Sequence, residues 1–231
     1  MVEFDRKGKM MVEKRKPKRK KTRGELRTEA TRQALVDAAR QVFAEKGMDL
    51  TTIDDITNRA DVGKGTFYYH FKNKNNLVNE LMKSTLDELR AEIDALCTDA
   101  ADLETVLDLL IQAHLEFFSK RWEDYVLYFQ GRSDLMLKEG YDGIDTPFMD
   151  YLEHIADLLN SVIKYHLDRN TLTRIACAVA GFVSGYYSFS VIATEDDHLD
   201  ETLRPVRRAL VAGLTRFIKE AIPSGDAPVR W

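Results

Sequence analysis

Apolar side chains recur with a helical period along most of the chain. The first clear stripe follows the i, i+3, i+4, i+7, i+8 spacing of one buried helical face and consists of Leu35, Ala38, Ala39, Val42 and Phe43. It predicts a helix from about Glu25, and Gly47 is expected to end it because glycine commonly follows the last turn.

Two short helices and a long one are predicted next. The stretch DLTTIDDITNRA fits a helix capped by Thr51 or Thr52, since either threonine has an aspartate three residues later. In a third helix Phe67 and Phe71 stand four apart, so they share one face. The segment KNKNNL then interrupts the pattern, and a fourth helix begins near Asn75.

Five further amphipathic segments complete the pattern, near 102–119, 121–138, 146–167, 169–194 and 198–222. Neither strand alternation nor an internal repeat is visible, so the predicted fold class is all-α.

Charge separates the chain into two parts although its net value is only −4. Residues 1–75 hold 19 Lys and Arg against 11 Asp and Glu, whereas residues 76–231 hold 15 against 27. A basic segment on an acidic body favours a polyanionic partner for the first part; solvated lysines are the alternative. Residues 1–24 contain 11 Lys and Arg and few apolar residues, so they are expected to be disordered alone.

Several site classes find little support. Cys97 and Cys177 are far apart without CxxC spacing, so no disulfide framework or cysteine zinc site is predicted. Asp150 and His154 form an isolated pair, and single pairs do not fix a metal. No nucleophile and base are paired, so no enzyme and no cofactor are predicted. The basic N-terminus lacks an apolar region behind it, so no secretory signal is predicted, and the cysteine pattern favours a reducing cytoplasm.

The stretch DVGKGTFYYHF, from Asp61 to Phe71, could be a phosphate-binding loop or the turn of a helix-turn-helix. A P-loop requires Gly-Lys-Ser/Thr after a strand, but here Gly65 precedes Thr66 and a capped helix comes before it. A dinucleotide fingerprint would need a glycine at Tyr68. Helix, three-residue turn and helix instead match the unit that inserts its second helix into the major groove.

The segment TTIDDITNRADVGKGTFYYHFKNKNNL, after a helix that ends ARQVFAEKG, resembles the N-terminal domain of the TetR family of bacterial transcriptional regulators. The resemblance implies phosphate contacts by Thr52, Tyr68, His70 and Lys74. It implies base contacts by Lys64, Gly65, Thr66 and Tyr69. Phe67 and Phe71 would be core. The chain departs from the family pattern in the turn, where Asp61 takes the left-handed position and Gly63 the cap.

The resemblance further implies a ligand-responsive repressor that binds a palindromic operator in double-stranded DNA as a homodimer. A helical enzyme or carrier of a lipophilic molecule is the alternative. The predicted domains are a disordered basic tail (1–24), a three-helix helix-turn-helix DNA-binding domain (25–74), and a helical ligand-binding and dimerisation domain (75–231).

The C-terminal body has two candidate surfaces. Residues 175–194 carry no charge, but their serines, glycines and tyrosines favour burial at an interface over a membrane span. By resemblance, the last two helices would form the dimer interface, with Cys177, Gly181, Gly185, Val206, Leu210 and Leu214. Dense aromatics predict a pocket for a lipophilic effector, with candidates His114, Phe117, Trp122, Tyr125, Phe129, Phe148, Tyr151 and Tyr186. For His114 a hydrogen-bonded core position is the other interpretation.

Overall fold

The structure is a computed structural model that describes residues 22–137, 143–163, 167–193 and 199–220. These ranges contain only helices and their connections, which confirms the all-α prediction. The helices are α1 (Arg23–Lys46), α2 (Ile53–Arg59), α3 (Lys64–His70), α4 (Lys74–Cys97), α5 (Leu103–Ser119), α6 (Trp122–Leu137), α7 (Asp145–Val162), α8 (Arg169–Ala193) and α9 (Leu199–Glu220).

The chain consists of two compact units, and the boundary between them lies between Ala34 and Leu35, within α1. Everything described below from Leu35 onward belongs to the second unit. The predicted domain boundary between residues 74 and 75 stays a prediction, and most of the predicted basic tail lies outside the described residues.

The connection from α1 to α2 follows from its turn residues. Gly47 has a φ of +83°, a conformation that glycine adopts without steric cost, and its backbone N–H donates to the Phe43 carbonyl at 2.9 Å. Of the two threonines it is Thr52 that caps α2, because its hydroxyl accepts from the Asp55 N–H and the Asp55 carboxylate accepts from the Thr52 N–H. The Thr51 hydroxyl donates to the Gly47 carbonyl at 2.7 Å.

The turn from α2 to α3 has the predicted conformations. Asp61 has a φ of +51°, and Gly63 is the N-cap of α3 without a side-chain hydrogen bond. Phe67 and Phe71 are buried beneath α3 and join a core with Phe43 and Ile56. Burying such a side chain is worth about 1.5–3 kcal/mol, so these contacts hold the seven-residue helix that its short length alone could not stabilise.

The remaining helices form the body. Helix α4 packs against α5 and α7, α7 packs against α8, and α5 packs against α9. One face of α8 is buried through Ile175, Val179 and Val183, whereas Cys177 and Gly185 on another face are exposed. Among the described residues, no helix combines the length and apolarity needed to cross a membrane.

Candidate nucleic-acid interface

Helix α3 turns its aromatic residues in two directions. Phe67 and Phe71 are almost completely buried, at 0% and 1% exposure, whereas Tyr68 and Tyr69 are 52% and 75% exposed. The Tyr69 ring meets the His70 ring edge to face, with centroids 4.9 Å apart. The two phenylalanines therefore fix the helix while the tyrosine tips project from it.

The first turn of α3 is open to solvent. A Cβ atom added at Gly65 would meet no heavy atom within 4 Å, so this position could closely approach another molecule. Lys64 is exposed, and its ammonium lies 2.8 Å from the Asp54 carboxylate of α2. Hydrogen bonding to Asp54 raises the pKa of Lys64, which therefore keeps its positive charge. Thr66 is half-buried.

Thr52 and Lys74, the predicted phosphate contacts outside α3, both have internal partners. The exposed Thr52 caps α2, and its hydroxyl also donates to Asp55 at 2.7 Å. The Lys74 ammonium donates to the carbonyls of Met48 and Thr51 at 2.8 and 2.9 Å, and burial lowers the pKa of Lys74. Lys74 thus ties the α1–α2 connection to the start of α4, a structural role that its sequence position did not reveal.

The sequence of this region matches a known protein family. A family model of bacterial regulatory proteins of the tetR family matches residues 35–81. The transposon Tn10 TetC protein of Escherichia coli is 38% identical over 146 residues, which cover 62% of this chain and 68% of that protein. The chain belongs to the TetR family.

Two further comparisons concern another regulator sequence and a solved structure. An HTH-type transcriptional regulator of Bacillus subtilis, YvdT, is 31% identical over 136 residues, covering 57% of this chain and 66% of that protein. The chain thus spans about two thirds of the length of the curated relatives it matches. The crystal structure of the transcriptional regulator FadR from Bacillus subtilis, in complex with stearoyl-CoA, has a TM-score of 0.61 at 21% identity and covers 82% of this chain and 98% of its own. This similarity establishes the TetR fold.

The body of this TetR-family chain contains a cavity of about 360 Å³ between α6, α7 and α8. Its walls include Tyr128, Arg132, Phe148, Tyr151, Cys177 and Ala180. Of these, Phe148 and Tyr151 were predicted for the pocket and Cys177 for the dimer interface. The predicted pocket candidates did not include Tyr128 and Arg132, whose i, i+4 spacing in an aromatic helix was the available signal.

The other predicted pocket residues are dispersed. His114, Phe117 and Tyr125 are core residues, Tyr186 is half-buried, and Trp122 and Phe129 are each 43% exposed. The His114 Nδ1 lies 2.6 Å from the Leu110 carbonyl, so Nδ1 carries the proton and Nε2 accepts from the Tyr151 hydroxyl. Burial lowers the pKa of His114 to about 4, so the ring is neutral near pH 7. This geometry is that of a hydrogen-bonded core histidine beside the cavity wall.

The predicted interface positions lie mostly on open faces of α8 and α9. Cys177, Gly185 and Val206 are exposed, and Gly181, Leu210 and Leu214 are half-buried. Val206 is 51% exposed, and Phe217, about three turns further along the same helix, is 47% exposed. The opposite side of α9 packs on the body through Val211 and Ile218. In the single chain an apolar face of α9 is therefore exposed to solvent.

Within the described ranges no group of three or more His, Cys, Asp and Glu residues could hold a metal ion. The His154 Nε2 lies within hydrogen-bonding distance of Asp94 of α4, at 2.7 Å, and this contact involves neither Asp150 nor a third ligand. The pairing gives the histidine a structural partner.

Proposed function

We propose that the chain is a DNA-binding transcriptional repressor that acts as a cytoplasmic homodimer on a palindromic operator and responds to a lipophilic effector. The observation that carries this proposal is the division of α3 into a buried phenylalanine side and an exposed side with Tyr68, Tyr69 and Lys64. A short helix that is held by buried phenylalanines on one side and is polar on its outer side suits the major groove of DNA. Repression is the direction that the family resemblance implies.

Some exposed residues of α3 would contact base edges, and others would contact phosphates. Lys64 and Tyr69 lie on the outer side, where donors can reach base edges. The open space above Gly65 would let the helix N-terminus approach the duplex. Tyr68 and His70 would donate to phosphates, which fix the register without reading sequence.

Dimerisation would supply the second α3. Two major-groove helices on one face of B-DNA must be about 34–36 Å apart, which sets the half-site spacing at about 10–10.5 base pairs. The open faces of α8 and α9, with Gly185 and Val206, offer apolar area that another subunit could cover. Small residues at Gly181 and Gly185 would allow two such helices to approach closely.

Helix α6 is suited to transmit effector binding. Tyr128 and Arg132 of α6 line the cavity. From the same helix, Asp124 contacts α1 and Gln130 contacts the α1–α2 connection. The Asp124 carboxylate lies 2.7 Å from the Arg40 guanidinium, and the Gln130 side-chain oxygen accepts from the Met48 N–H at 2.9 Å. A ligand that displaces α6 would therefore move α1, and with it the spacing of the two α3 helices.

The DNA-binding proposal is tested with fragments selected from genomic DNA for binding to the full chain. Tyr69→Ala and Lys64→Ala should each weaken binding to the selected duplex by about 5–150-fold, the equivalent of 1–3 kcal/mol for each base interaction removed. Their urea unfolding midpoints should not change, because both side chains are exposed. Phe129→Ala, an exposed aromatic of α6, is the matched control and should leave DNA binding intact. Full specific binding by both α3 variants would refute the proposal.

The effector proposal is tested with stearoyl-CoA, the ligand in the FadR complex. Its binding should change the affinity for the selected duplex by about 5–150-fold, and Arg132→Ala or Phe148→Ala should reduce that response. A compound that occupies the cavity without altering DNA affinity would contradict the switch. That outcome would favour the carrier function instead.

A further inference from the structure

The cavity between α6, α7 and α8 has a positive charge in its wall. Arg132 of α6 lines this cavity and is half-buried. Its Nη2 atom lies 3.4 Å from the place that a Cβ atom would occupy at Gly181, so the guanidinium rests against the glycine surface of α8. The side chain therefore reaches from α6 to α8 instead of extending fully into solvent.

The charge of Arg132 acts on other side chains of the cavity wall. Burial raises the pKa of Tyr128 to about 12, and the positive charge of Arg132 opposes that rise. Cys177 on α8 behaves in the same way, because burial raises the pKa of its thiol and the charge of Arg132 opposes the rise. Since electrostatic influence falls off with distance, the guanidinium lies close to the walls that both α6 and α8 contribute.

Within the part of the chain that the structure describes, Arg132 forms no ion pair with a carboxylate. Arg40, Arg121 and Arg207, which are likewise half-buried, each bind one. Asp145 belongs to the same cavity wall, but it is exposed at the start of α7, where water and salt screen its charge. Arg132 therefore differs from these arginines in having its charge unmatched and directed at a cavity.

The rest of the cavity is mostly apolar and of limited size. Its apolar wall includes Phe148, Leu152 and Ala180. The Tyr151 hydroxyl donates to His114, which leaves the guanidinium as the charged donor that a ligand can use. The volume is about 360 Å³. A molecule of liquid water takes up about 30 Å³, so the cavity has room for about a dozen non-hydrogen atoms. Apolar walls with one charged group are typical of sites for small amphiphilic molecules.

A half-buried guanidinium without a carboxylate partner favours an anionic ligand. Its planar set of donors can bind two oxygen atoms of a carboxylate or a phosphate at once. We propose that the ligand of this cavity is an anionic amphiphile of about a dozen non-hydrogen atoms, whose acidic group binds Arg132 and whose apolar part packs against Phe148. This inference rests on the proposed function and names the chemical class of its effector. Neutral and cationic lipophiles would leave the guanidinium unpaired and would bind more weakly.

Four molecules of similar size and different head group test the proposal in calorimetric titrations of the full chain without DNA. They are decanoate, octyl phosphate, 1-decanol and decylamine, each below its micelle concentration. At least one of the two anions should bind about 10–150-fold more tightly than 1-decanol, the range expected for hydrogen bonds to a charged group. Decylamine should bind less tightly than 1-decanol, because its ammonium would meet the guanidinium. The tighter of the two anions shows whether the acidic group is a carboxylate or a phosphate.

Three variants assign the preference for an anion to Arg132. Arg132→Gln removes the charge and should bring the affinities for the anion and for 1-decanol to within about threefold of each other. Arg132→Lys keeps the charge without the planar donors, so it should retain part of the preference. Arg174→Gln changes an exposed cation of α8 outside the cavity wall, and this matched control should bind like the unaltered chain. The head-group preference of the unaltered chain needs no variant, so it remains a test even if a substitution unfolds the protein.

Binding of 1-decanol or decylamine as tight as that of both anions would overturn the inference, as would a preference for the anion that Arg132→Gln retains. The affinity for the selected duplex, measured with and without each ligand, separates this failure from failure of the proposed function. If stearoyl-CoA changes DNA affinity but no preference depends on Arg132, only the inference is wrong. If an anion binds through Arg132 and DNA affinity stays the same, the ligand class is supported and the effector response in the proposed function is wrong.

Discussion

Tyrosines serve opposite purposes in the helix-turn-helix part of the chain, residues 35–74 and here called the head, and in the body. Tyr68 and Tyr69 of α3 are more than half exposed. Tyr128 and Tyr151 of the body are buried, and the Tyr151 hydroxyl donates to His114. Burial raises the pKa of Tyr128 to about 12, so its phenol stays neutral. A tyrosine on α3 is free to meet a new partner, whereas a tyrosine on α6 or α7 is already part of the core.

The difference arises from what lies beneath each helix. Helix α3 has seven residues, of which Phe67 is buried and Lys64, Gly65, Tyr68 and Tyr69 are exposed. Helix α6 packs against α4 and α5, and α7 packs against α4, α5 and α8, so the tyrosines of both helices are buried. Substitutions on the outer side of α3 should therefore impair function while leaving stability unchanged. Substitutions in the core of either region should lower stability first.

The largest effect is expected at the anchor of α3. Phe67→Ala should lower the free energy of unfolding by about 3–5 kcal/mol, because it removes a fully buried ring and leaves a cavity. Tyr69→Ala, two residues along the same helix, should change it by less than about 0.5 kcal/mol. Urea denaturation followed by circular dichroism measures both. Equal losses in the two variants would mean that α3 is not anchored as described.

The next effect tests the link between head and body. Asp124 of α6 is buried, accepts from the Thr85 hydroxyl at 2.9 Å and lies 2.7 Å from Arg40 of α1. Asp124→Asn leaves the Arg40 guanidinium with the more distant Glu88 carboxylate, 3.8 Å away, in place of the buried one, so stability should fall by about 3 kcal/mol. The exposed Asp150→Asn is the control and should be neutral within about 0.5 kcal/mol. A neutral Asp124→Asn would show that Arg40 does not depend on this partner.

The head was more predictable from the sequence than the body because its determinants are local. Thr52, Asp61 and Gly63 have the cap and turn conformations expected from their neighbours. Arg40 and Asp124 lie 84 positions apart, and no local pattern pairs them. The cavity, likewise, combines residues of three helices, so periodicity could identify apolar faces but not which of them would meet around Arg132.

A third prediction concerns the pH dependence of stability, which should depend on His114 in the body. Its folded pKa of about 4 lies below the ordinary 6.5, because burial disfavours the charged ring. Between pH 6.5 and 4 the unfolded chain binds a proton that the folded chain refuses, so stability falls as the pH drops and this loss stops below pH 4. One pKa unit corresponds to 1.36 kcal/mol, so the loss should reach roughly 3 kcal/mol.

The measurement is urea unfolding at several pH values for the unaltered chain and for His114→Asn. Carboxylates titrate in the same range in both proteins, so the difference between their two stability curves isolates the histidine. The variant should lack the part of the decline attributed to His114. Parallel curves from pH 7 to pH 4 would contradict a buried neutral imidazole at this position.

The smallest effect compares one hydroxyl group in each region. Tyr151→Phe removes the donor to the His114 Nε2 and leaves that buried acceptor unsatisfied, which should cost about 1–3 kcal/mol in urea unfolding. Tyr69→Phe removes an exposed hydroxyl and should leave stability unchanged within about 0.5 kcal/mol. In DNA binding the order should reverse, since only the Tyr69 hydroxyl can reach the duplex. If Tyr151→Phe weakened DNA binding at unchanged stability, the cavity wall would be coupled to the head even without effector, and the separation between the two kinds of tyrosine would not hold.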